Sequence, residues 1–165
     1  PCLLPGVARA RPHVAGRRVL TTANVGDARA VLCRAGRPLR LSVDHRAGDL
    51  AERQRIESAG GFVLAKRVNG VLEVSRALGD HSLKSVVVCT PSLRETVLCE
   101  ADEFLILACD GLWDWIDDEA AVALASDAFD NGCTPPDVAQ TLVDASLAAG
   151  CTDNISVIVA RFDQA

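Results

Sequence analysis

Short apolar runs broken by glycine, asparagine and aspartate dominate the first two thirds of this chain. Helical spacing takes over between the last two runs. Arg17 to Asn24, Ala28 to Arg34 and Pro38 to Ser42 read as strands of a β-meander, turning at Val25-Gly26-Asp27 and Ala35-Gly36-Arg37. A helix opens at Asp49, with Glu52 as the return partner of a capping box, and stops at Gly60-Gly61. Phe62 to Ala65 and Val71 to Ser75 flank Asn69-Gly70, a hairpin signal, and Ser75 to Asp80 is a loop. Leu93 to Cys99 and Glu103 to Cys109 read as a hairpin turning at Ala101-Asp102. Two helices follow. Asp117 to Phe129 is acidic in its first turn, and Thr134-Pro135-Pro136-Asp137 starts a helix that ends at Gly150. Ile155 to Phe162 is the last strand. The expected class is α+β, antiparallel sheet with helices packed outside.

The stretch EFLILACDGLWDWIDD concentrates the candidate chemistry. The apolar run Phe104 to Cys109 ends in Asp110-Gly111, and Asp114 follows between the two tryptophans of the chain. Asp153 precedes the last strand, whereas Asp110 follows its own. If those strands are antiparallel neighbours, both acids lie at one sheet edge, where crowded carboxylates need a cation between them. Oxygen-only ligands suit magnesium or manganese rather than zinc. A turn at Asp110-Gly111 and an Asx-turn at Asp153 account for the spacing at least as well. Asp27, after Gly26, also reads as a turn aspartate, and Asp114 as a helix-start acid.

Composition narrows the field. At 165 residues, 49% hydrophobic and 24% charged, the chain is one globular domain. A net charge of -5 and a pI near 5.1 argue against non-specific nucleic-acid binding. No apolar run approaches a membrane span, and PCLLPGVARARPH lacks the apolar centre of a signal peptide. Seven cysteines without a C-x-x-C pair read as reduced thiols of an intracellular protein, with Cys33, Cys99 and Cys109 inside apolar strands. With no methionine, Pro1 is not an unprocessed start, so the chain is expected to be part of something longer, with residues 1–16 irregular.

Several chemistries fail on the residues. Leu112 stands where a D-x-D phosphatase motif needs its second acid, CDGLWDWIDDE does not fit an EF-hand loop, and G-x-S-x-G is absent. None of His13, His45 and His81 belongs to a metal-ligand pair. His45 and His81 read as hydrogen-bonded loop histidines, with proton transfer the lesser alternative.

Taken in order, ANVGDARAVLCRAGRPLRLSVDHR, ERQRIESAGGFV, RVNGVLEVSRALGD, FLILACDGLWD and TDNISVIV resemble the metal-dependent serine/threonine protein phosphatases of type 2C, over roughly residues 17–162. The resemblance implies part of a four-layer α-β-β-α sandwich of two antiparallel sheets, lacking N-terminal strands. It implies two Mn2+ or Mg2+ ions and a third, weaker one. Asp110 and Asp153 match the C-terminal ligands of the metal pair, Asp27 and Asp114 match acids of the third site, and Gly111 and Asn154 support the metal loop. Arg76, Gly79 and Asp80 match the end of a flap of roughly residues 46–84 that influences substrate choice. It further implies phosphoprotein substrates, a cytoplasmic or nuclear location, no nucleic-acid or membrane partner, and a monomeric complete protein.

The departures carry equal weight. The family's phosphate-gripping arginine with its E-D pair and its D-G-H-G-G motif have no counterpart here, so no catalytic residue is assigned. The expectation is a phosphatase portion inactive by itself, with open sheet edges and exposed apolar surface. The alternatives are a non-catalytic pseudophosphatase that binds partners, or a regulatory metal-binding module.

Overall fold

The computed structural model describes residues 6–12 and 18–162; His13 lies outside them. One antiparallel sheet has the order β1 (Gly6–Pro12), β2 (Arg18–Asn24), β7 (Ser92–Val97). The other runs β4 (Arg37–Arg40), β3 (Arg29–Arg34), β8 (Asp102–Ala108), β9 (Val157–Arg161). The α+β sandwich of antiparallel sheets is therefore present.

Side-chain alternation in β3 and β8 builds two cores from one sheet. Ala30, Leu32 and Leu105 meet Leu20, Leu41 and Leu98 between the sheets. Val31, Cys33, Phe104 and Ile106 point the other way, onto α3 (Asp118–Asp130) and α4 (Pro135–Ala148), where they meet Val122, Phe129 and Leu142. Each large apolar side chain so buried stabilises the fold by about 2 kcal/mol. Both helices start as their caps dictate. Asp117 accepts from the Ala120 amide, and Asp137 accepts from the Thr134 amide and hydroxyl.

Sheet membership departs from the sequence expectation at two joins. The meander breaks after β2, because Val25 to Ala28 carries the chain from one sheet to the other. Asn24 braces this corner, its Nδ2 donating to the carbonyls of Gly26 and Val43, and Gly26 has φ 102°. Likewise β7 and β8 belong to different sheets. The corner between them is pinned by buried Asp102, which accepts from the Cys99 amide and pairs with Arg34 at 2.6 Å. A turn signal marks a change of direction but not which sheet the next strand joins. Cys99 consequently lies exposed on that corner, while Cys33 and Cys109 are buried as expected.

Local details differ too. Gly6–Pro12, expected to be irregular, pairs along β2, consistent with its alternation of arginine with small apolar residues. The hairpin β5 (Val63–Leu64), β6 (Arg67–Val68) turns at Ala65-Lys66, and Asn69-Gly70 makes a second turn. All four of these turn residues have positive φ. Residues 71–75 make isolated bridges rather than a strand. The capping box at α1 (Leu50–Ser58) does not form. Asp49 accepts from the Arg46 amide instead, and Glu52 turns to arginines described below. Ile56, Val68, Val86 and Val87 close a third, smaller core under this flap.

Among the described residues, β7 and β9 each end their sheet. Leu93, Val97 and Ile158 on these strands are exposed. No described helix is long and apolar enough to cross a membrane.

Candidate metal centre

Strands β8 and β9 are antiparallel neighbours with Ala108 opposite Val157, so Asp110 and Asp153 emerge at the same sheet edge. Asp110 opens the one-turn helix α2 (Asp110–Trp113), and Gly111 lets that turn touch the Thr152-Asp153-Asn154 loop. A Cβ on Gly111 would stand 2.3 Å from the Asn154 carbonyl oxygen. Cys109 clamps the same loop. Its amide donates to the Ser156 carbonyl, its Sγ accepts from the Ser156 amide, and its thiol donates to the Asn154 carbonyl at 3.2 Å. Fully buried Ser146 on α4 donates to the Gly111 carbonyl at 2.6 Å, and Trp113 Nε1 donates to the Ala108 carbonyl. The backbone segments that carry both acids are thereby held by buried side chains and by the Cys109 amide.

Asp27 arrives on the corner between β2 and β3. Burial and then the Asp110 charge push its carboxyl up to about 6, against the opposing pull of Arg46. Asp110 is raised by burial first, then by Asp153 and Asp114. The charges of Asp153 and Asp114 thus reach Asp110, and those of Asp110 and Asp114 reach Asp27. The cation among them is Arg46, which pairs with Asp114 at 2.5 Å and with Asp27 at 3.4 Å.

This donor set fits a hard divalent cation in its chemistry: carboxylate oxygens in excess, mutually repelling and partly desolvated. Its geometry is open, since among the described residues no three His, Cys, Asp or Glu side chains converge at ion-holding distance.

The flap residues behave differently. Arg76 pairs with Glu52 of the flap at 2.6 Å and donates to the Thr90 carbonyl just beyond it, so its charge is engaged away from the four acids. Gly79 and Asp80, both with positive φ, lead into a 3-10 turn at His81–Leu83. Neither residue has an ion pair or hydrogen bond to the four acids.

Sequence reasoning missed one residue here and part of the role of another. Arg46 carries no local signal, because its partners are distant in the chain. His45, read as a bonded loop histidine, is one, and it also ties the Asp27 corner to the flap. Its Nδ1 accepts from the Gly26 amide, its amide donates to the Gly26 carbonyl, and its carbonyl accepts from the Ser75 amide. Burial first, and the Arg76 charge second, hold it below its ordinary pKa. His45→Leu leaves the buried Gly26 N–H unpaired and should cost about 1–3 kcal/mol. His45→Asn, which places an acceptor near Nδ1, should recover much of that loss in urea unfolding. Equal losses would contradict this role.

The comparisons agree with the fold. The model of the family described as Protein phosphatase 2C matches residues 10–155. Protein phosphatase 2C homolog 1 of Saccharomyces cerevisiae is 48% identical over 143 residues, covering 87% of this chain and 50% of the yeast protein. Probable protein phosphatase 2C 69 of Arabidopsis thaliana is 48% identical over 146 residues, covering 87% of this chain and 40% of its own length. A crystal structure of a phosphatase from Toxoplasma gondii superposes with a TM-score of 0.80 at 32% identity, over 90% of this chain and 51% of that one. A Caenorhabditis elegans sex determining protein gives 0.79 at 29% identity, over 87% of this chain and 36% of that one. The chain therefore spans half or less of the length of the yeast and Arabidopsis proteins. With its two antiparallel sheets, its corner aspartate and its paired loop acids, the chain belongs to the protein phosphatase 2C family.

Proposed function

We propose that this chain supplies the C-terminal, metal-facing part of a phosphatase that hydrolyses phosphoserine and phosphothreonine in proteins. The observation that carries the reading is the antiparallel register of β8 and β9, which delivers Asp110 and Asp153 to one edge under a backbone clamp. In this reading Asp110 and Asp153 would hold the shared manganese or magnesium ions, and Asp27 and Asp114 a weaker one. Such ions, when bound, supply positive charge that draws phosphate oxygens and lowers the pKa of water.

The chain's own residues do the positioning. Gly111 permits the close approach of the two loops. Cys109 and Ser146 hold them, and His45 sets the corner that bears Asp27. The chain contains no D-G-H-G-G motif and no matching phosphate arginine, so it is expected to turn over little substrate alone. The second reading is a non-catalytic protein-binding module.

Manganese-dependent hydrolysis of a phosphothreonine peptide tests the proposal. A protein carrying this chain together with the D-G-H-G-G segment should be active, and Asp110→Asn should remove at least about 100-fold of that activity, the scale of losing a group that acts on the transition state. Inactivity of that longer protein would favour the binding module. Comparable rates from the chain alone would overturn the expected division of labour.

A further inference from the structure

Arg46 is held more tightly by its backbone than by its head group. Its segment is bound to the flap, bridging Val74, with the Ala47 amide donating to the Glu73 carbonyl and the Ser75 amide to the His45 carbonyl. Its guanidinium reaches Asp114 through one nitrogen at 2.5 Å, while Nε sits 3.4 Å from Asp27, buried and without a hydrogen bond. Beside it opens a cleft of about 390 Å³, lined by Arg46, Asp49, Lys66, Glu73 and Asp114.

We propose that Arg46 is an internal counter-ion that a divalent cation must displace from Asp27 and Asp114, releasing the guanidinium into the adjoining cleft. The inference rests on the reading of those acids as cation ligands. Three features point to it. The guanidinium faces Asp27, which burial and the Asp110 charge make costly to ionise. Its head group is only half satisfied, because Nε has no hydrogen bond and the Asp114 partner is exposed, where an ion pair contributes little. The cleft offers Asp49, whose Oδ2 already accepts from the Arg46 amide, within the flap that holds its backbone, while Glu73 on the same cleft is paired with Arg67. Cation loading at this pair is then an exchange of one positive charge for another, and it transmits to the flap through the pairing of residues 45–47 with 73–75.

Manganese binding to the chain, followed by calorimetry and by the electron paramagnetic resonance of free Mn2+, provides a readout that needs no activity. Arg46→Gln should bind Mn2+ about three- to tenfold more tightly than wild type, given the modest strength of exposed ion pairs. Adding Asp114→Asn should abolish the gain. Equal or weaker binding by Arg46→Gln overturns the inference, as does a gain that survives Asp114→Asn. Should Arg46→Gln fail to fold by circular dichroism, the Arg46 Nε–H resonance of the wild type decides. It should shift on titration with Mg2+, and a fixed resonance overturns the inference. Asp110→Asn separates the two levels. If it removes binding while Arg46→Gln changes nothing, the cation site stands and the displacement fails. If no variant binds Mn2+, both fail.

Discussion

Gly111→Ala is expected to destabilise the chain by about 2–3 kcal/mol, the scale of forcing extra atoms into a packed site, and to remove manganese binding. The methyl group would meet the Asn154 carbonyl oxygen at 2.3 Å, its carbon at 3.1 Å and Ile155 Cγ1 at 3.3 Å. A flexible side chain could yield, but this neighbour is backbone clamped by Cys109 on one side and continuous with β9 on the other. The remaining response is to part the Asp110 turn from the Asp153 loop, which separates the two acids. Gly132→Ala is the matched control. No atom lies within 4 Å of its added methyl, and only the strain of φ 82° applies, about 1 kcal/mol. Urea midpoints compare the two. A Gly111 variant no worse than the Gly132 variant, with binding intact, would contradict the close-approach role.

Glu52→Gln should cost about 3 kcal/mol, through the flap rather than the metal-facing edge. Glu52 is 7% exposed. It accepts from the Ser75 hydroxyl at 2.6 Å and pairs with Arg76 at 2.6 Å and Arg55 at 3.0 Å. Although burial opposes ionisation, the hydrogen bonds from Arg76, Ser75 and Arg55 bring its carboxyl down to about 2 from 4.5. A carboxyl depressed on folding contributes stability that is complete above its unfolded value and is lost as pH falls through the folded one. Wild type should therefore lose this contribution between about pH 4.5 and 2, and the glutamine variant should lack that part of its acid dependence. Because Glu52 joins α1 to the segment bearing Ser75 and Arg76, protease cleavage within the flap should also rise in the variant. An unchanged cleavage pattern with unchanged stability would show that the network is dispensable.

What could be read from the chain was local. Asp117 and Thr134 announced their helices, because a cap and its partner lie within one turn of sequence. The runs through Phe104 and Val157 announced strands, and their order around Asp110 and Asp153 made a shared edge readable once they were taken as neighbours. Sheet membership was not readable at Gly26 or Asp102, where a turn signal meant a corner. The information that decides it is spread over β3, whose inner positions are buried on both faces and so demand a central strand with layers above and below. Arg46, and the tie that His45 makes between corner and flap, were opaque for a related reason: each acts on residues brought near only when the flap folds back. Glu52 misled, because a capping-box glutamate and a buried ion-pair glutamate look alike at three residues from Asp49.

The pairing of β3 with β8 has a consequence for the order of assembly. These strands cannot meet until the whole stretch from Arg34 to Asp102, flap included, has been looped out. β9 must likewise wait for both C-terminal helices. Closing such loops costs chain entropy before any contact compensates for it, which slows folding. The edge bearing Asp110 and Asp153 should therefore be among the last features to appear during refolding. A divalent ion added to the refolding chain would then act late, slowing unfolding more than it speeds folding.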